Sequence, residues 1–305
     1  MPHPYRRLIA TILLGSALIG CGGSAEEPTA ETTNVVPEPA VERRATAAED
    51  RLTQNEGGRR VLRAIEAHGG LRAWYRAPTS SYVWEYANQA AELHFASFMV
   101  VDNRTRRAYH DLLFTGAYKD PRPVDARFAW DGRQAWIAPD SIRQPNPRFW
   151  ALSGFYFQQI PFVLADPGVN YEALPDDSID GTPHDMVRIT FGEDVGDAPD
   201  DTYTLYLDKG SGQVDAIRYT VTFGRDVGPE ADLVETFFDY QDYVTVHGLT
   251  VPTRFEGYSY SEAEGVGEAR KSWARVDSIS YRRPFEASRL ERPPNARVVP
   301  LPGSE

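Results

Sequence analysis

Apolar and polar positions divide the chain into three textures. The first is an apolar run at 8–19, preceded by Arg6 and Arg7 and closed by Gly20-Cys21. A membrane span needs roughly 20 apolar residues. The basic start, short apolar middle and small-residue end instead predict a secretory signal over 1–20. The second texture, 21–50, is rich in Ala, Glu, Pro and Thr with almost no large apolar side chains. Such a stretch cannot bury enough surface to fold, and it predicts a linker. The third predicts one folded domain over 51–290, followed by a Pro-rich tail at 291–305 lying along its surface.

Within the domain, residues 58–68 place Val61, Leu62, Ile65 and His68 on one helical face. Gly69-Gly70 then offers the left-handed backbone that ends a helix, so His68 reads as a helix-end residue rather than a ligand. Beyond Pro78 the texture changes to short runs of aromatic and β-branched residues separated by turns, the mark of antiparallel strands. These runs fall at 82–86, 93–101, 104–113, 126–130, 134–138, 186–191, 202–208, 213–223, 233–246, 249–258 and 268–282. Asp131-Gly132-Arg133 and His247-Gly248 are hairpin connections. Several runs are longer than the usual strand, so the sheet should be large and curved. Residues 148–166 do not fit it: they are apolar nearly all round. Pro161 should end a helix over 149–159 and leave 161–164 extended. A helix of that kind must be covered, and it suits plugging the open side of a curved sheet. The predicted fold class is mainly β: a half-open β-barrel of about ten to eleven antiparallel strands, with an N-terminal helix and a central apolar helical insert.

Charge and chemistry narrow the function classes. The formal net charge is −12, and loss of Arg6 and Arg7 with the signal makes the remainder more acidic. That argues against nucleic acid, which is bound through clustered Lys and Arg. Cys21 is the one cysteine in the chain, which suits an oxidising compartment. No G-x-S-x-G elbow or H-E-x-x-H pattern occurs. No catalytic residue, cofactor or metal ligand is therefore assigned, and the expectation is a protein that is not an enzyme. Residues 193–201 hold five acids in nine positions but lack the spacing of an EF-hand loop, so they read as a solvated acidic loop rather than a calcium site.

Leu18-Ile19-Gly20-Cys21 resembles a bacterial lipobox, which implies acylation of Cys21 and a membrane anchor. Gly22 in place of an aspartate implies the outer membrane, on its periplasmic side. The N-terminal helix ending in A-H-G-G, the long antiparallel run and the apolar insert together resemble the LolA/LolB-like superfamily of lipoprotein carriers and receptors. Stretches such as I-E-A-H-G-G at 65–70, P-F-V-L-A-D-P-G at 161–168 and Y-x-x-V-x-G-L-x-V-P-T at 243–253 resemble outer-membrane lipoproteins of that superfamily.

The resemblance implies a concave apolar face, covered by helices, that takes a lipid or the acyl chain of a lipoprotein, with movement of the insert as its gate. Candidate lining residues are Trp84, Phe95, Phe98, Trp130, Trp136 and Tyr219, with Phe149, Phe155 and Phe157 from the insert. Plain core packing is the competing role for each. The rival reading is an envelope protein-interaction or sensing module whose core is filled.

Overall fold

The structure is a computed structural model, and it describes residues 35–192, 196, 198, 200–224 and 235–300. The signal, Cys21, the first part of the linker and most of the acidic loop lie outside the described residues. Three helices open the fold: α1 (Glu38–Leu52), α2 (Glu56–Ala67) and α3 (Gly70–Arg76). Strands β1 (Thr79–Asn88), β2 (Leu93–Asp102), β3 (Ala108–Ala117), β4 (Asp120–Trp130) and β5 (Ala135–Ala138) follow. The insert is α4 (Pro147–Gln159) and a 3-10 turn (Phe162–Ala165). Next come β6 (Val169–Ile179), β7 (Thr182–Phe191), β8 (Tyr203–Asp208), β9 (Val214–Tyr219) and β10 (Glu235–Gln241). The chain ends through β11 (Val244–Val246), β12 (Leu249–Val251), β13 (Arg254–Ser261), β14 (Gly265–Val266), β15 (Ser272–Ser280) and β16 (Arg297–Val299).

One antiparallel sheet of 14 strands runs β16-β5-β4-β3-β2-β1-β15-β13-β10-β9-β8-β7-β6, with β14 added beside β13. Its outer strands β16 and β6 do not pair with each other, so the barrel stays open. Strand alternation sends Phe95, Met99, Val101, Phe128, Ile137, Val187, Ile189, Leu205, Ile217 and Phe255 to one face, where they join the helices in a single large core. The opposite face carries two smaller clusters. One is Val100, Tyr109, Ala129, Trp136 and Ala138 under the C-terminal tail, and the other is Met186, Tyr206, Ala216 and Phe237.

Helix α2 starts where Asn55 Oδ1 accepts from Gly58 N at 2.8 Å, an N-cap that satisfies one orphan amide. It ends at His68, which is fully buried. The Nδ1–H of His68 donates to Thr250 O at 2.8 Å, and its Nε2 accepts from Val214 N at 3.2 Å. The ring thus ties the helix end to β12 and β9, the structural role expected of it. Gly69 follows at φ 119, and a Cβ there would sit 2.0 Å from Gly248 O. The glycine is needed for this approach to the His247-Gly248 turn as well as for its backbone.

Four expectations need correction. The presumed linker is helical from Glu38, because Val41, Ala45, Ala48 and Leu52 recur on one face and are all buried. Residues 161–164 are not extended; Phe162–Ala165 turns as a 3-10 helix that buries all four side chains. The run at 104–113 becomes strand only at Ala108, since Asp102 Oδ1 accepts from Arg104 N and Thr105 N and folds the intervening residues into a tight turn. The tail does more than lie on the surface. It adds β16 to the sheet edge beside β5, and Leu290 O accepts from Trp136 Nε1 at 3.0 Å.

Candidate functional site

Helix α4 decides what the concave face can do. It begins with Pro147 behind an Asn146 cap that accepts from Arg148 N at 2.9 Å. Trp150, Ala151, Gly154, Phe155 and Gln158 form its buried side. Gly154 lies directly on Trp84, where a Cβ would come within 2.8 Å of the indole ring. Three side chains hold the helix down. His110 Nε2–H donates to Ala151 O at 3.0 Å, Tyr240 OH to Phe157 O at 2.9 Å, and Tyr281 OH to Gln159 Oε1 at 3.1 Å. The concavity is therefore occupied by the protein's own helix.

The open space lies on the other side of α4. A cavity of about 400 Å³ runs over Phe149, Leu152, Ser153, Tyr156, Phe157 and Ile160, and of these Phe157 also meets the sheet, its ring 5.3 Å from that of Phe238. One end is bounded by Thr105, Arg106, Trp130 and Arg148, the other by Phe191, Tyr203, Val221 and Phe223, and Val163 and Leu164 continue the floor. The volume falls in the range of small-molecule sites, and the lining has their usual make-up of apolar walls with a few polar groups.

Of the nine predicted lining residues, Trp130, Phe149 and Phe157 line this groove. Tyr219 stands one layer behind, its ring 4.8 Å from that of Phe157. Trp84, Phe95 and Phe155 belong to the core beneath α4, Phe95 with its ring 4.9 Å from Trp150. Phe98 and Trp136 pack in the cluster on the opposite face of the sheet. Sequence reasoning missed Leu152, Tyr156, Ile160 and Tyr203, and it missed both arginines. The three insert residues were findable: Leu152, Tyr156 and Ile160 recur at helical spacing from Phe149 within the apolar run.

The polar groups of the groove are few, and most are engaged. The Arg148 guanidinium lies 3.4 Å over the Trp130 ring, a cation–π arrangement. Ser153 Oγ donates to Phe149 O at 2.5 Å. Asp201 Oδ1 accepts from Thr222 N and Oγ1, and burial pushes its carboxyl above the ordinary value. Among the described lining residues there is no histidine or cysteine. Three histidines are buried, and all are engaged within the fold; His184 meets Thr182 O at 2.8 Å and Asp215 Oδ2 at 2.9 Å. His110, pinned to α4 and accepting from Ser97 Oγ at 3.0 Å, is stacked on Phe128, and burial lowers it to about 3. Burial likewise lowers His68 to about 4. Of the other exposed large apolar side chains, Val35 precedes α1, and Leu113, Val244 and Val266 sit on separate strands.

No family model and no curated protein matches the chain. Among solved structures it is similar in fold to a LolA superfamily protein from Nitrosomonas europaea, at 12% identity and a TM-score of 0.49 over 78% of this chain and 98% of that one. A DUF1329 family protein from Desulfovibrio piger gives 12% identity and a TM-score of 0.44, covering 84% and 97%. The Mycobacterium tuberculosis lipoprotein LppX gives 11% and 0.25, covering 74% and 97%. These are likenesses of fold.

Proposed function

We propose that this protein is a lipid-anchored envelope protein that binds the apolar chain of a lipid, without catalysis, in the groove over the outer face of α4. The observation that carries the reading is the groove itself: about 400 Å³ walled by phenylalanine, tyrosine, leucine, isoleucine and valine side chains from the insert and the neighbouring segments. Each methylene removed from water there contributes about 0.8 kcal/mol, so an acyl chain gains affinity without polar recognition. The hydrogen bonds from His110, Tyr240 and Tyr281 fix α4, and binding needs no movement of the insert. An anchor at Cys21 places the groove beside the outer membrane, on the periplasmic side, where such chains are available.

The test is detergent-free purification of the Cys21→Ser protein from the periplasm, followed by native mass spectrometry and titration with a fluorescent fatty acid. Lipid in about one-to-one ratio, or saturable uptake of the probe, is the expected result. A protein that arrives empty and also ignores the probe would remove the reading. Retention of the Cys21→Ser protein in the membrane fraction would remove the anchor.

A further inference from the structure

Strands β15, β1, β2, β3, β4 and β5 lie side by side in that order. Ser81 pairs with Ser280, Thr79 with Asp102, Ala108 with both Val101 and Trp130, and Trp130 with Ala135. This register brings the segments that leave these strands, 103–107, 131–134 and 281–283, to one end of the sheet. Contacts join them there. Thr79 Oγ1 donates to Arg283 O at 2.6 Å, the Arg107 guanidinium lies 5.4 Å over the Phe285 ring, and a Cβ on Gly132 would stand 3.8 Å from Arg107 Cγ.

The three segments carry Arg104, Arg106, Arg107, Arg133, Arg282 and Arg283, six arginines in a chain where acids outnumber cations 44 to 32. Asp131 is the one acid within them, and Asp102 borders the first. Both carboxylates hold turns: Asp102 Oδ1 accepts from Arg104 N and Thr105 N, and Asp131 Oδ1 from Arg133 N and Gln134 N. Asp102 also pairs with Arg107, and Asp166 with Arg106. Arg104, Arg133 and Arg282 are exposed and form no ion pair among the described residues.

We propose that this arginine rim docks on the phosphate-bearing surface of an anionic membrane, with one end of the groove turned toward the bilayer. The docking stands on the rim alone; its use in taking up a lipid chain rests on the binding role proposed above. Guanidinium groups pair bidentately with phosphate oxygens, and basic side chains are drawn to an anionic bilayer within about a Debye length. A bilayer presents phosphates as a continuous layer, which three adjacent turns can meet at once. Thr105, Arg106 and Gly132 of two of these turns also line the groove, beside Trp130 at the strand end. The basic rim and one end of the groove therefore coincide. The other end is bounded by Asp201 of the acidic loop, which anionic head groups repel. Docking by the rim sets the apolar channel against the head groups from its arginine end.

The experiment is flotation of the purified Cys21→Ser protein with vesicles of phosphatidylcholine alone and of equal parts phosphatidylcholine and phosphatidylglycerol. Binding should be about tenfold tighter to the anionic vesicles, and the preference should vanish at about 1 M salt, where the Debye length is about 3 Å. Arg104→Gln, Arg133→Gln and Arg282→Gln together should remove most of the preference and leave fatty-acid titration and unfolding unchanged. The same change of charge elsewhere, Arg59→Gln, Arg188→Gln and Arg270→Gln at exposed positions on α2, on β7 and before β15, should weaken binding less than about twofold. Equal binding to both vesicles, or equal loss from the two sets of substitutions, would overturn the rim as a docking site while leaving the groove intact. Docking without fatty-acid uptake would uphold the rim and remove the groove reading instead.

Discussion

The two sides of α4 differ in a way that explains the site. The inner side ends in a sealed contact: Phe155 is fully buried, Gly154 is flush against Trp84, and His110 bonds to the helix backbone. The other side carries residues of the same character, Phe149, Leu152 and Phe157, which are only half-buried and border the open space. A half-open barrel has to fill its concavity, and here the filling is a helix too apolar to be satisfied by one contact. The open space is left beside that helix. Stability should thus reside on the inner side and binding on the outer.

The strongest way to break this division is Phe155→Ala. Deleting a fully buried phenylalanine costs about 3–5 kcal/mol. Denaturant unfolding should show a loss of that size, and a loss below about 1 kcal/mol would mean that the inner contact is not packed as described.

Acid should act on the same contact next. His110 and His68 have folded values near 3 and 4, well below the ordinary 6.5, because both are buried. Groups with depressed histidine values are neutral in both states above pH 6.5, so their stability is fully present there. It is lost as the pH falls from about 6.5 toward 4 and 3, where only the unfolded chain takes up the proton. The loss is roughly 2 kcal/mol per histidine between pH 7 and pH 5. Unfolding curves at the two values, for wild type and for His110→Asn, should give a shallower pH dependence in the variant. Identical slopes would show that His110 is not held neutral by its burial.

Gly154→Ala tests the fit at higher resolution. On an exposed helix surface this change stabilises by about 1 kcal/mol. Against the Trp84 ring the added methyl must displace either the indole or the helix, a penalty of about 1–3 kcal/mol that reverses the sign. A raised melting temperature would contradict the close approach.

Much of this was legible in the sequence, and the gaps have physical causes. Strand runs and the His247-Gly248 hairpin followed from alternation and turn residues. Helix α1 escaped because half of its buried face is alanine in an Ala/Glu/Pro stretch, although the spacing of Val41, Ala45, Ala48 and Leu52 was there to see. Strand β6 escaped because it is an outer strand, carrying Pro175 and several acids, as such strands commonly do. The faces of Phe95 and Phe98 were also readable. Three residues apart on a regular strand, they must point to opposite sides, and β2 sends them there. Trp136 is harder. Its face is fixed only by pairing with Ala129 across the hairpin, a register that alternation in β5 alone does not supply, since all four residues of that strand are buried. The arginines that line the groove were not legible at all, because Arg106 and Arg148 come from segments that meet only in the fold.

The smallest expected change in stability belongs to the outer side, and it sharpens the comparison most. Leu152→Gln keeps the length and the helix-forming tendency of the side chain and places an amide at a half-exposed position. Stability should shift by less than about 1 kcal/mol, as for other changes away from a packed core. A bound acyl chain, however, would lose contact with an apolar wall and be left against an amide that it cannot satisfy, so affinity should fall about tenfold, equivalent to about 1.4 kcal/mol. Paired measurements of unfolding and of fatty-acid titration separate the two effects. If Leu152→Gln lowered stability as much as Phe155→Ala does, the two sides of α4 would be equivalent, and the groove would be an unfilled part of the core rather than a place for a ligand.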